Sequence, residues 1–204
     1  MTEQSTTGRA NQKLRTHNAI VQAAAELSRT GREVTMPEIA KAALVSEATA
    51  YRYFPDLASL LREAIAGQLP TPAEALESVA DSTDPVERVA AATEFLLRHV
   101  LTRQGVVRAM IAATITRPSD AATRPGLRFG LIDHALAPLV ETLGAEHPAL
   151  AQLQRDLAVV VSAEALFNLT DLYRLRPEDA IASVVSTATT LTRAVLRDRV
   201  VAGG

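Results

Sequence analysis

The stretch from Thr35 to Phe54, TMPEIAKAALVSEATAYRYF, constrains this chain more than any other. Thr35-Met36-Pro37-Glu38 has the form of a capping box, in which the threonine oxygen takes a free N–H of the first turn and the glutamate bonds back to the cap. Pro37 falls in that first turn, where its missing N–H costs nothing. Ile39, Ala40 and Ala43 give the helix a small apolar face. Leu44 and Val45 close a short break, Ser46 caps a second helix, and Glu47 lies in its positive first turn. Ala50, Tyr53 and Phe54 recur at helical spacing, so this helix also has a face for a core. Two short helices that cross at small residues after a brief turn predict a helix-turn-helix, whose second helix enters the DNA major groove. Taken alone, the pattern fits an ordinary helical hairpin equally well.

The flanking residues separate those two readings. Ile20, Ala23, Ala24, Leu27 and Gly31 precede the motif, and Thr35, Ile39-Ala40, Val45-Ser46, Thr49, Tyr51, Phe54 and Leu60-Leu61 run through and beyond it. This order, above all the T-x-Y-x-Y-F run ending at Phe54, resembles the amino-terminal domain of TetR-type (TetR/AcrR-like) bacterial transcriptional regulators over roughly the first third of the chain. Three positions depart from that family. It usually has glycine where Leu44 stands, an aromatic where Leu27 stands, and lysine where Leu57 stands. The last change removes a cation that commonly touches a DNA phosphate.

Composition excludes several other classes. The chain has 204 residues and no cysteine, hence no disulfide, thiolate metal site or cysteine nucleophile. Its four histidines, at 17, 99, 134 and 147, lack the close spacing of a metal pair, so no metal or cofactor is expected. There is no glycine-rich phosphate loop and no nucleophile-and-base pattern, so no catalytic residue is assigned and an enzyme is not expected. The polar start MTEQSTTGRANQK is not a secretory signal, and the most apolar run, Leu157 to Phe167, is too short to span a bilayer. A cytoplasmic protein without membrane contact is the expectation. Net charge is −2; residues 1–66 carry eight Lys/Arg against seven Asp/Glu, a balance that permits nucleic-acid binding without advertising it.

Along the chain, residues 1–12 are expected to be a mobile tail, with Arg9, Lys13 and Arg15 in it or at its junction with the first helix. Residues 13–66 are expected to form the DNA-binding domain. It comprises a helix from Lys13 to Arg29 ending at Thr30-Gly31, the two short helices, and a fourth helix from Asp56. Gly67 and the prolines at 70 and 72 mark a boundary. Residues 67–204 then read as helix throughout, with a loop from Pro118 to Gly126, a helix to about Leu143 that bends at Pro138, and two long apolar helices near 149–173 and 178–198. Strand-like alternation is missing, so the predicted fold class is all-α, a three-helix head joined to a larger helical ligand-binding and dimerisation domain.

Candidate roles follow from side-chain chemistry. At the start of the second motif helix, Ser46, Glu47, Ala48 and Thr49 can approach base edges, with Glu47 suited to a cytosine amino group and Ala48 or Thr49 to a thymine methyl. Arg52, Lys41 and Thr35 can contact phosphates. The resemblance implies that Tyr51 and Tyr53 donate hydroxyls to phosphates as well, whereas Phe54 is assigned to the core. So small a head needs a partner, and a homodimer reads palindromic half-sites about one helical turn (~34 Å) apart. Leu157, Val161, Glu164, Val184, Ala188, Leu191 and Val195 on the two carboxy-terminal helices are the candidate dimer surface; the same apolar stripe equally fits burial within one chain.

Phe95, His99, Met110, Thr114, Phe129, Asp133, His134, Phe167 and Asn168 are the candidate lining of a small-molecule pocket. The resemblance implies that an effector bound there changes the spacing of the two heads and releases double-stranded operator DNA. The expected function is therefore a ligand-responsive, DNA-binding repressor. The alternative is a helical small-molecule or protein-interaction module that no longer binds DNA.

Overall fold

The computed structural model describes residues 3–66, 68–116 and 126–202, with the backbone alone for residues 3–7, 9 and 198–202. Among these residues helix is the only regular secondary structure. The expected Pro118–Gly126 loop lies outside the described residues except for Gly126, as does Gly67. The helices sort into two compact units, each considered separately below.

The head unit contains α1 (Glu3–Ser28), α2 (Met36–Ala42), α3 (Glu47–Tyr53), α4 (Leu57–Ala66) and α7 (Gln104–Thr116). Its core is built from Ile20 and Ala24 of α1, Val34 before α2, Ile39 and Ala40 of α2, Ala50 of α3, Phe54, and Leu60, Leu61 and Ile65 of α4. Helix α1 begins ten residues earlier than the sequence suggests, so the stretch expected as a tail is helix from Glu3 onward. Nothing in residues 3–12 breaks a helix; Gly8 is the weakest former there, and a single glycine costs about 1 kcal/mol.

The second departure is α7. Sequence composition put the boundary near residue 67 and everything after it in one domain, yet α7 packs on α4, and Val106 joins the head core with Ala109 and Met110 beside it. Gly105 permits that approach. A Cβ on it would stand 2.1 Å from the Arg32 carbonyl oxygen, so the helix lies directly on the backbone of the α1–α2 loop.

Both motif helices are capped as their sequences require. The Thr35 N–H donates to Glu38 Oε2 at 3.0 Å, and the Glu38 N–H donates to Thr35 Oγ1 at 3.4 Å. Ser46 Oγ accepts from the Thr49 N–H at 3.2 Å, and Asp56 Oδ1 accepts from the Ser59 N–H at 2.8 Å ahead of α4. The turn between α2 and α3 is a Schellman motif. The Val45 N–H reaches the Ala40 carbonyl at 3.0 Å and the Leu44 N–H reaches the Lys41 carbonyl at 3.2 Å.

That geometry forces Leu44 to φ 56°, in the left-handed region where a Cβ is strained. Leu44 is also 92% exposed, so its side chain repays nothing by burial. Leu44→Gly is expected to raise stability by about 0.5–1 kcal/mol. Relief of roughly 1–2 kcal/mol of left-handed strain outweighs the extra unfolded-state freedom of glycine, roughly 0.5–1 kcal/mol. Urea denaturation of the two proteins checks this; an unchanged or lower midpoint would show that the turn carries no such strain.

The second unit contains α5 (Pro72–Ala75), a 3₁₀ turn (Glu77–Val79), α6 (Pro85–Thr102), α8 (Leu127–Ala135), α9 (Ala137–Leu143), α10 (Pro148–Val160), α11 (Ala163–Phe167) and α12 (Pro177–Ala202). Asp84 caps α6 by accepting from the Val86 N–H at 2.8 Å, and Val89, Thr93, Leu96, Leu97 and Val100 are buried on one stripe, as their spacing predicts. The helix expected to bend at Pro138 is two helices meeting at Leu136, with Pro138 in the first turn of α9. The expected 149–173 helix is likewise divided. Its backbone turns at Val161, Ser162 caps α11 through the Ala165 N–H at 3.1 Å, and residues 168–172 make a π turn.

A buried cation crosses this unit. Arg88 is 5% exposed, and its guanidinium donates to the carbonyls of Val79 (2.9 Å), Ala80 (3.3 Å), Ser82 (3.3 Å), His134 (2.9 Å) and Ala135 (3.3 Å). No described helix is long and apolar enough to cross a membrane.

Candidate nucleic-acid interface

The caps determine which side chains α3 can present. Because Ser46 holds the first turn by its own hydroxyl and Ala50 is packed inside, Glu47, Ala48 and Tyr51 project outward. Glu47 and Ala48 are exposed and Tyr51 is 49% exposed. Arg52 is exposed as well, its guanidinium 5.8 Å from the Tyr53 ring centre. Thr49 is half-buried, and its hydroxyl lies 2.9 Å from that of Ser46. The surface therefore offers one carboxylate, one methyl, one phenol and one guanidinium within two turns of helix. That assortment suits base edges and phosphates.

Tyr53 and Phe54 face inward. The His17 ring centre is 6.2 Å from Tyr53 and 5.0 Å from Phe54, and Phe54 is 5% exposed, in keeping with its assignment to the core. His17 Nε2 lies 3.3 Å from Glu63 Oε1, tying α1 to α4 behind the motif.

On α2, Thr35 is exposed but its hydroxyl is engaged, donating to Glu38 Oε2 at 2.9 Å. The two Thr35 hydrogen bonds, with Arg32 at 3.7 Å, hold the Glu38 carboxyl below its usual pKa. A phosphate at this helix start would therefore compete with a carboxylate for the hydroxyl proton. Lys41 is exposed in the last turn of α2.

Sequence reasoning missed part of this face. A groove of about 540 Å³ runs beside α3, lined on its far side by Gln12, Lys13 and Thr16 of α1. Lys13 and Thr16 already fell on the expected first helix; the earlier start of α1 adds Gln12 to their face, and only the fold sets that face beside α3. Arg15 is exposed, and the Arg9 side chain lies outside the described residues.

The candidate pocket residues are divided between the two units. Phe95 and His99 stack on α6 with ring centres 6.0 Å apart. Met110 and Thr114 belong to α7 in the head unit, because Gly105 docks that helix there. Phe129 is 51% exposed under the Arg128 guanidinium, Asp133 is exposed and accepts from Gln154 at 3.0 Å, and His134 is half-buried. Phe167 is buried, whereas Asn168 is exposed where the π turn opens.

The carboxy-terminal helices give a clearer result. Leu157, Val161, Val184 and Ala188 are each at most 3% exposed within a single chain, where α10 packs on α12. They serve the intramolecular core rather than an outer surface, because a helical stripe specifies burial without specifying the partner. Leu191 and Val195 are half-buried and Glu164 is exposed. The middle of the outward side of α12 carries Ala182, Ser183, Ser186, Thr187 and Thr190, between exposed Glu178 and Asp179 at one end and Arg193 and Arg197 at the other.

Comparison with known proteins adds three findings. Residues 20–64 match the model of the bacterial regulatory proteins, tetR family. No curated protein matches significantly. Among solved structures, a TetR transcriptional regulator from Rhodococcus sp. RHA1 is similar at 27% identity, covering 88% of this chain and 97% of that one, with a TM-score of 0.48.

Proposed function

We propose that this chain, whose residues 20–64 match the model of the bacterial regulatory proteins, tetR family, is a ligand-responsive DNA-binding repressor that binds a palindromic operator as a homodimer. The observation that carries this reading is the outward display of Glu47, Ala48, Tyr51 and Arg52 from a helix whose cap and core contacts are already complete. None of these side chains is needed to hold the fold, and their chemistry is that of base and phosphate contact.

One head with so few contacts binds weakly, so two are required. We assign the dimer contact to the outward face of α12, where Ala182, Ser183, Ser186, Thr187 and Thr190 allow two helices to approach closely. The effector is a small molecule bound by the second unit, with Phe95 and His99 as its aromatic contacts. It releases DNA only in so far as it prefers one head spacing over another, a coupling of typically ~1–3 kcal/mol.

The direct test is selection of duplexes from a random-sequence pool by the full-length protein, followed by footprinting. A protected palindrome with half-sites one turn apart is expected, and failure to enrich any sequence would overturn the reading. On the selected duplex, Tyr51→Phe is expected to weaken binding about equally for every sequence, because a phosphate contact carries no sequence information. Glu47→Gln is expected to alter preference at one position in each half-site, worth about 1–3 kcal/mol there. Unchanged preference in the Glu47 variant would remove that residue from base readout.

A further inference from the structure

We propose that α1 is a third DNA-contacting element, and that the groove between α1 and α3 seats one backbone phosphate held jointly by Lys13 and Arg52. This rests on the DNA-binding reading above. Gln12, Lys13 and Thr16 line one side of the groove, Thr49, Arg52 and Tyr53 the other, and Val45 also borders it. The lining holds two cations and no carboxylate. Among the described residues neither Lys13 nor Arg52 pairs with an acidic group, whereas Arg32, Arg98 and Arg176 each do. Two unneutralised cations bordering one groove repel each other and favour an anion between them.

Placement selects which anion. Thr49, Arg52 and Tyr53 stand at i, i+3 and i+4 on α3, so they form one flank of the helix beside the outward-facing Glu47, Ala48 and Tyr51. A helix about 10–12 Å across fills a major groove about 12 Å wide, so its flanks face the bordering phosphates. Arg52 therefore reaches a phosphate from the α3 side and Lys13 from the α1 side. The roles within the groove differ by chemistry. Lys13 is a compact point charge, Arg52 offers a planar fork of donors, and Gln12 adds a neutral side-chain amide. Thr16 already donates its hydroxyl to the Gln12 carbonyl at 3.1 Å, so it shapes the wall rather than binding the anion.

The test measures affinity of the full-length protein against salt, on a duplex selected by the wild type and on a scrambled duplex. Lys13→Gln is expected to lower affinity roughly three- to tenfold on both, and to reduce the slope of log K against log salt by about one. Arg52→Gln is expected to do the same. The double variant is expected to lose little more than either single variant, because both side chains serve one phosphate.

A Lys13→Gln protein indistinguishable from wild type would overturn the proposal while leaving the regulator reading intact. Full additivity in the double variant would overturn the shared phosphate. A wild-type protein that binds neither duplex would overturn the DNA-binding reading and this proposal together. Lys13 is exposed on α1, and unchanged circular dichroism and urea midpoint confirm that the substitution acts on binding alone.

Discussion

Gly105→Ala is expected to destabilise the head by about 3 kcal/mol, although alanine is the better helix former by about 1 kcal/mol. The new Cβ would meet the Arg32 carbonyl oxygen at 2.1 Å, the Arg32 carbonyl carbon at 2.4 Å and the Glu33 nitrogen at 2.7 Å. All three are backbone atoms, so no side-chain rotation relieves the overlap. The loop cannot yield freely either. Gly31 holds φ 70° with the Thr102 carbonyl 3.5 Å from its own Cβ position, and the capping box at Thr35 fixes the other end. Helix α7 must therefore lift by more than an ångström, which exposes Val106, now 1% accessible, and loosens Ala109 and Met110 against the head core. Urea denaturation checks the magnitude. Gly8→Ala is the control, since nothing lies within 4 Å of its Cβ position, and it should be neutral or mildly stabilising. Equal midpoints for the two variants would show that α7 does not bear on the loop.

Arg88→Met is expected to cost the second unit about 3 kcal/mol, or roughly 6–12 °C in thermal midpoint for a chain of this length. The side chain donates to five main-chain carbonyls, on both sides of its planar head. Those of His134 and Ala135 lie in the last turn of α8, and those of Val79, Ala80 and Ser82 end or follow the 3₁₀ turn; Val79 also accepts the Ser82 N–H, so the guanidinium takes a second lone pair there. The partial negative charge of such carbonyls solvates the guanidinium in place of water. Methionine fills much of the volume but leaves the inner carbonyls unpaired, and hydrogen bonds to a charged group are the costlier ones to lose. Arg88→Lys should recover less than half, because an ammonium is a single point that cannot reach carbonyls on two elements at once. Full recovery by lysine would mean that charge alone, and not the fork, joins these segments.

What could be foreseen from the sequence shares one physical property: it is short-range. The capping box at Thr35, the Ser46, Asp56 and Asp84 caps, and the turn around Leu44 involve groups within five residues of one another. Their chemistry is legible wherever the residues are. The apolar stripe of α6 is legible for the same reason, since helical period alone decides which side chains share a face. The resemblance of residues 20–64 to the tetR-family model rests on an accumulation of such local signals.

Tertiary structure alone decided where those faces go. Leu157, Val161, Val184 and Ala188 announced a buried face, but only packing of α10 on α12 showed that the chain covers it itself. The same gap hid the partner of α7, because a glycine inside a helix does not say which backbone, some seventy residues away, it is there to admit. No local pattern marks Arg88; only the fold brings five carbonyls from two distant segments around it. Gln12 read as tail, and Lys13 and Thr16 as the start of a helix with no known neighbour, until α3 came alongside. In each case burial depends on atoms far apart in the chain, whereas capping, turn chemistry and period depend only on neighbours.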